Sequence, residues 1–473
     1  MAEQATVKTR KPLSQQIKLW YGVGDFGFTL MTNVETFYWN SFLTDLAGFN
    51  VATTAAITTI ASIVDACLSW IYGGILNAIK PKKWGRYRSW LILAPWIVPF
   101  LYAFQFLKLG NGAGSAVIIC AAAIISHIIW NFPYAANATV VSFAGGDAQG
   151  RATLSSSRAT WNNLAGVAFS YLGLPLANVL AGVVGETNKF AAVAFVLGIV
   201  MVVGYWVHFK VTDGYEQLED PNAPVAKKQK TSAKDMAKSL FQNMPLLLLL
   251  VADLAKWIVK FIVAASAIYF FKYTANQPAL VPIYILLANI AAVIGAFCSK
   301  YFTKALSNRG TIIMAYLIMA AAMIISYIAF QSTTLVVILM IVAQCCYGIC
   351  YACSPALYAD TAVYAEWKTK KNSAGWIMGL QTVPLKVGVI VKATILNACL
   401  AAAGYDAILS QINGGSLAVE NIAATSRQAI SASFTLWPGI FCAIGALILI
   451  FGYRLTKEKV EKYQAEIDAR AKA

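Results

Sequence analysis

The sequence predicts an all-α polytopic membrane protein with twelve transmembrane helices in two bundles of six. Three observations predict it. The chain is 59% hydrophobic and 12% charged, with a mean hydropathy of +0.63, a composition that belongs in a bilayer and not in a soluble globule. Long apolar runs recur, and short basic segments separate alternate runs as the positive-inside rule expects of cytoplasmic loops. A long polar segment, residues 213–242, divides the hydrophobic chain into parts of similar length. The net charge of +16 therefore reports topology and lipid contact, and no nucleic-acid partner is expected.

Residues 1–18 form a basic tail carrying Lys8, Arg10, Lys11 and Lys18, expected in the cytoplasm. The apolar stretch that follows is too long for a signal sequence and lacks a small-residue cleavage site, so it is span 1, residues 19–47. It contains YGVGDFG from Tyr21 to Gly27, then Thr29, Asn33, Glu35 and Asp45. Its glycines permit close helix approach in lipid.

Span 2, residues 51–79, carries one charge, Asp65, at its middle. As a helix it is about 43 Å long, enough to cross a hydrocarbon core of about 30 Å. A carboxylate at the bilayer centre costs roughly 2.5–3.5 kcal/mol on insertion scales, so Asp65 must face protein or water and is a functional candidate. Thr58, Ser62, Asp65, Ser69 and Tyr72 recur at helical spacing and form one polar stripe. The basic loop KPKKWGRYR, residues 80–88, follows on the cytoplasmic side.

Span 3 is expected over residues 89–109 and span 4 over 116–143. Span 4 holds His127, Trp130, Asn131, Pro133, Tyr134 and Asn137, with His127, Asn131 and Tyr134 on one face. Pro133 has no N–H to offer the carbonyl near Ile129. Span 5 begins near residue 154 with Arg158 just inside it, and span 6 covers 190–209. Residues 19–212 thus make the first bundle and 213–242 a cytoplasmic linker. Internal duplication is the natural inference, without a clean residue-level repeat.

The second bundle is residues 243–455. Span 7, residues 245–271, places Asp253, Lys256 and Lys260 on one face, where they partly neutralise each other. Spans 8 and 9 are separated by a basic loop of Lys300, Lys304 and Arg309. Span 10 ends in YADTAVYAEWKTKKNSAG, residues 358–375. Span 11 brings Gln381, Thr382, Pro384, Lys386 and Lys392, then a weakly charged outer loop over 405–428 leads to span 12 and a basic tail, 456–473. An even count puts both termini inside. Cys345, Cys346, Cys350 and Cys353 cluster without a nearby His or a paired CxxC, so they read as small buried residues and no metal site.

YGVGDFG, Asp65 followed by KKWGRYR, NFPY from Asn131 to Tyr134, ADTAVYAEWKTKK from Ala359 to Lys371 and LQTVPLK from Leu380 to Lys386 occur in an order that resembles the glycoside-pentoside-hexuronide:cation symporters, the melibiose-permease relatives of the major facilitator superfamily. The resemblance spans nearly the whole hydrophobic chain. It implies a major facilitator fold that binds a sugar between its halves and couples its movement to a cation by alternating access. Asp65 resembles the helix-2 acid of the cation site, Lys386 the helix-11 lysine beside it, and Arg158 the helix-5 arginine near the sugar. The sequence departs from that pattern where a second helix-2 acid is Ser69, a helix-4 acid is Asn131 and a helix-1 sugar-holding acid is Thr29.

A sodium site relies on anionic oxygen ligands to replace hydration, and two charges are missing here. A proton requires one carboxylate held out of water, since desolvation favours the protonated form. The expectation is therefore proton symport over sodium symport, with Asp65 as carrier, Lys386 as switching partner, and Asn131, Ser69 and Ser62 completing the cation site. His127 is the weaker carrier. Substrate candidates are Thr29, Asn33, Glu35, Arg158, Trp130, Tyr134, Lys256, Lys260, Trp376 and Gln381. The aromatics offer faces to sugar C–H edges, and the cations suit an acidic glycoside as well as a neutral one.

Alternatives are an uncoupled sugar uniporter, a sodium-coupled symporter with a rearranged site, and, from another class, a membrane-embedded sensor. An enzyme is not expected, because His127 and His208 stand apart without a partner cluster. No cofactor is expected. The partners are a small sugar or glycoside, a proton or Na⁺, and the lipid bilayer, with the protein a monomer in the bacterial inner (cytoplasmic) membrane and both termini cytoplasmic.

Overall fold

The computed structural model describes residues 12–78, 83–144, 148–216, 241–370, 377 and 380–472, and all regular structure among them is helical. The first half runs through α1 (Gln15–Trp20), α2 (Val23–Ser41), α3 (Val51–Ala78), α4 (Trp90–Leu93), α5 (Val98–Phe104), α6 (Ala113–Ala144), α7 (Ala148–Val184) and α8 (Lys189–Val211). The second half runs through α9 (Met244–Tyr269), α10 (Leu280–Ile328), α11 (Thr333–Thr369), α12 (Thr382–Ala402), α13 (Tyr405–Asn413), α14 (Ala424–Phe434), α15 (Leu436–Leu447) and α16 (Lys457–Lys472).

Eight stretches among the described residues are long and apolar enough to cross a membrane. Twelve passes follow once three departures from simple apolar rods are counted in. Helix α10 is 49 residues long and breaks at Ser307, whose φ of 62° and ψ of 170° divide it into two passes. Helices α2 and α9 carry charged residues, which lowers their apolarity. The Trp90–Phe104 stretch is short because Pro95 and Pro99 interrupt it.

Several element boundaries differ from the sequence expectation, each for a local reason. Span 3 is three short helical pieces, since each proline lacks the N–H that would continue the preceding turn. The basic segment between spans 8 and 9 is helical on both sides of a single break at Ser307, so the expected connection is shorter than a loop over Lys300 to Arg309. Arg309 there donates to the carbonyls of Leu449 and Ile450, in a π-helical turn (Ile448–Gly452) that follows α15. Span 5 starts at Ala148, and segment 405–428, expected as a loop, contains α13 and the start of α14. Span 12 is divided at Thr435, two residues before Trp437 and three before Pro438. Helix α6 runs through Pro133 without interruption.

Two compact units emerge. The first is Met1–Glu35, Leu46–Gly48 and Ile63–Val225. One end of it is a core of Ile17, Tyr21, Val140, Ala144, Leu154 and Tyr215. The basic loop is clipped there: Glu216 accepts the backbone N–H groups of Tyr87 and Arg88, both at 2.9 Å, while the Arg88 guanidinium donates to the Phe209 carbonyl at 2.8 Å and pairs with Asp213 at 2.8 Å. Gly85 has a φ of 107°, and a Cβ there would meet the Glu216 carboxyl at 2.5 Å, so this clip requires glycine.

The second unit is Thr36–Asp45, Phe49–Ser62 and Ala226–Ala473. Helices α10 and α11 cross closely where Gly295 faces the Cys345 carbonyl and Gly348 the Ala292 carbonyl. Asp45 lies in a π-helical turn (Phe42–Leu46) and accepts from Lys272 Nζ at 2.7 Å, Tyr273 at 2.8 Å, Tyr405 at 2.6 Å and Thr44 at 2.8 Å. Lys272 and Tyr273 belong to a second π-helical turn, Phe270–Thr274. The first backbone N–H of α3, at Val51, is capped by Asp406 at 2.9 Å, and Asn397 bonds both Asn40 and Thr58. At the other end of this unit, α16 docks on α11 through Trp367, which stacks on Tyr463 and donates to Glu466 at 2.6 Å.

Candidate functional site

Helix α3 presents Asp65 half-buried in the first unit, where Oδ1 accepts from Asn131 Nδ2 of α6 at 2.9 Å. The second amide hydrogen of Asn131 donates to the His127 carbonyl one turn earlier, at 2.7 Å, so the amide plane is fixed from both sides. Ser62, one turn before Asp65, donates its hydroxyl to the Thr58 carbonyl at 2.7 Å. Ser69 lies on α3, but its side chain falls outside the described residues.

A second acid meets the same helix α6. Glu35 of α2 lies 2.9 Å from His127, Oε2 to Nε2, with side-chain exposures of 21% and 9%. Tyr102 braces this point: its hydroxyl accepts the Glu35 N–H at 3.2 Å and donates to the Met31 carbonyl at 3.0 Å. The carboxylate acceptor puts the Nε2 hydrogen on the imidazole, a tautomer fixed by the partner.

Arg158 is held in place by a partner that sequence reading did not single out. Its Nε and Nη2 donate to the two oxygens of Asp25 at 2.9 and 2.7 Å, the bidentate form that favours arginine. Asn137 adds a third donor to Asp25 at 3.0 Å, and Tyr21 bonds the Asn137 carbonyl at 3.1 Å. Asp25 sits inside the YGVGDFG motif; that an intramembrane acid and an intramembrane arginine tend to pair was a signal in the sequence, but not one that says which acid meets which arginine. Thr29 and Asn33 follow Asp25 at successive turns of α2, both half-buried. Phe28 packs against Trp130 at 4.9 Å and stacks on Tyr134 at 4.6 Å. Trp130 is 9% exposed, and its indole N–H has no hydrogen-bond partner among the described residues.

In the second unit, Asp253 and Lys256 of α9 pair at 2.7 Å, and Asp253 also accepts from Ser354 at 2.5 Å and Tyr358 at 3.2 Å. Lys256 lies over Trp257 at 5.3 Å. Lys260, one turn on and half-buried, makes no ion pair among the described residues. Lys386 and Gln381 are half-buried on and just before α12, and Gly388 lets that helix approach Trp257 of α9, where a Cβ would come to 3.0 Å. Trp376 lies outside the described residues. The structure thus joins Asp65, Asn131, Glu35 and His127 in the first unit and Asp253 with Lys256 in the second.

The chain is similar to proteins of one kind throughout its length. It is 23% identical over 459 residues to the isoprimeverose transporter of Lactiplantibacillus pentosus, covering 95% of this chain and 90% of that protein. To a glucuronide carrier protein homolog of Escherichia coli (strain K12) it is 23% identical over 468 residues, covering 97% of each. Among solved structures, a D-xylose-proton symporter superposes with a TM-score of 0.60 over 94% of this chain and 98% of that one, at 12% identity. A bacterial homolog of the human lysosomal transporter Spinster, inward-facing and unoccupied, superposes with a TM-score of 0.64 over 94% and 97%, also at 12% identity. At such identities these two show the fold alone. The family described as MFS/sugar transport protein matches residues 20–457. A chain whose described residues are helical, no enzyme but a multi-pass membrane carrier, belongs by that match to the MFS/sugar transport family.

Proposed function

We propose that the chain imports a glycoside, oligosaccharide or hexuronide by proton symport, through alternating access of its two halves, residues 19–212 and 243–455. Asp65 is the proton carrier and Lys386 the partner that favours its charged form when near and releases it when withdrawn. The observation that carries this reading is the Asn131 amide on the Asp65 carboxylate at 2.9 Å. An amide stands where a sodium site would need another anionic ligand, and a single buried carboxylate suffices for a proton.

Relatives named for isoprimeverose and for a glucuronide support a glycoside substrate, neutral or acidic. With Lys256 neutralised by Asp253, Lys260 is the cation on α9 that would read an acidic group. The indole N–H of Trp130 and the ring of Tyr134 would face the sugar from α6. The carrier acts as a monomer in the bacterial inner membrane with both termini cytoplasmic, as the basic loops argue.

The test is uptake into proteoliposomes over a small glycoside panel that pairs a glucuronide with its glucoside, with proton and sodium gradients imposed separately. Accumulation in a sodium-free pH gradient, lost in Asp65→Asn while sugar exchange persists, is the expected result. Strict dependence on Na⁺ without response to pH, or equal transport without any cation gradient, overturns it.

A further inference from the structure

Helix α9 carries three charges, Asp253, Lys256 and Lys260, and the first two are matched to each other. Asp253 Oδ1 accepts from Lys256 and Ser354, and Oδ2 from Tyr358. Lys260 stands outside this knot, about 10 Å beyond Asp253 by helical rise. No hydrogen bond or ion pair joins it to another described residue. It lies about 24 Å from one end of α9 and about 14 Å from the other, so its stem cannot carry the ammonium past either end of the helix into water.

The elements around α9 offer no spare counter-charge. Helices α10, α12, α14 and α15 contain no aspartate or glutamate. Helix α11 runs antiparallel to α9, since Lys256 lies by Tyr351 while Asp253 meets Ser354 and Tyr358. Lys260 is therefore level with residues before Tyr351, and the acids of α11, Asp360 and Glu366, lie in the other direction. Beside Lys260, Trp257 stacks with Phe261 at 6.0 Å and meets Tyr351 edge-on at 6.0 Å, and its indole N–H has no hydrogen-bond partner among the described residues. Residues three apart on a helix are neighbours. An ammonium and an indole N–H, both donors only, thus stand together beside aromatic faces without an acceptor.

We propose that the counter-ion of Lys260 is the cargo: the transported glycoside is acidic, its carboxylate accepts from the Lys260 ammonium, and Lys260 is the residue that sets the preference for it. Trp257 supplies the second donor and an aromatic face for the sugar ring. The charge-assisted bond forms where water does not compete, so a neutral analogue leaves the ammonium unmatched. This rests on the glycoside reading above, narrows it to acidic members, and is independent of which cation drives uptake.

The test is equilibrium binding at neutral pH to the full-length protein in lipid vesicles, with phenyl β-D-glucuronide against phenyl β-D-glucoside and the matching galacturonide against its galactoside. Each pair differs only in a carboxylate or a hydroxymethyl group. For the ring that binds, the acidic member should bind about ten- to a hundredfold tighter. That ratio should fall to within about twofold in Lys260→Gln and persist in Lys260→Arg, whose guanidinium stays charged. A second readout needs no sugar: an ammonium without an internal counter-charge has no pairing to lose, so unliganded Lys260→Gln should unfold at the temperature of the parent or above it. A neutral member bound as tightly as its acidic partner, or a preference that survives Lys260→Gln, overturns the proposal. A Lys260→Gln protein that fails to fold or unfolds well before the parent also overturns it, because the ammonium is then held by a charge within the protein. Absence of binding by every member of the panel overturns the glycoside reading, and the proposal with it.

Discussion

The Asp25–Arg158 pair offers the sharpest quantitative check on how this interior is built. The Asp25 side chain is 3% exposed and takes three donors, two from Arg158 and one from Asn137, while the Arg158 side chain is 21% exposed. Removing one partner of a buried pair costs about 3–5 kcal/mol, because the survivor is left as an uncompensated charge. In Asp25→Asn the survivor is a guanidinium with some access to water, so the cost should fall near about 3 kcal/mol, roughly 150-fold in the folded-to-unfolded ratio.

In Arg158→Gln the survivor is a nearly inaccessible carboxylate with only Asn137 to satisfy it, and about 4–5 kcal/mol is expected. The double variant leaves two amides that can bond each other, so its cost should undershoot the sum by at least about 2 kcal/mol. Chemical unfolding in detergent can be followed with a thiol-reactive dye, since Cys346, Cys350, Cys353, Cys399 and Cys442 are buried. Additive effects, with a coupling below about 0.5 kcal/mol, would refute the pairing argument. Loss of sugar affinity in Arg158→Gln without loss of stability would assign that arginine to the substrate instead.

Three further outcomes follow from the same geometry. Asp45→Asn removes the charge that gathers Lys272, Tyr273 and Tyr405; Lys272 is 40% exposed and can rehydrate, so a loss of about 1–2 kcal/mol is expected in the same unfolding assay, and unchanged stability would refute it. Gly348→Ala drives a methyl into the Ala292 carbonyl and should abolish monodisperse protein on size exclusion, whereas Gly112→Ala, with open space around it, should elute as the parent does. Burial pushes the Glu216 carboxyl above its ordinary value, more than the N–H groups of Tyr87 and Arg88 pull it down. A raised acid favours the folded form when protonated, so its contribution is present below the unfolded value of about 4.3 and lost as pH rises through the folded one. Stability of the parent relative to Glu216→Gln should therefore decline with rising pH from that point, and a parallel pair of profiles would contradict it.

Legibility in the sequence tracked how local the determining physics is. Asp65 could be picked out because one carboxylate among apolar residues is conspicuous without knowledge of any partner. Asn131 could be placed beside it only through the resemblance, which aligned it with an acid of the cation site. His127 was ranked low because a lone histidine in an apolar run gives no sign of a carboxylate 92 residues away, and the structure supplies Glu35. Arg158 was read as a sugar contact, while its two-pronged engagement by Asp25 is a contact across 133 residues. The effect of a proline depends on its surroundings: Pro95 and Pro99 interrupt span 3, whereas α6 runs on through Pro133.

Sequence alone determined the solvent and the helical, multi-pass class of the fold, because hydropathy and charge along a segment act within a helix length. Only the tertiary structure decided which charges neutralise one another. That choice depends on which helix faces meet, and Asp45 with Tyr405, 360 residues apart, shows how far along the chain the answer is written. In a medium that cannot solvate an ion, each buried charge must find its counterpart through packing, and packing is a property of the assembled helices.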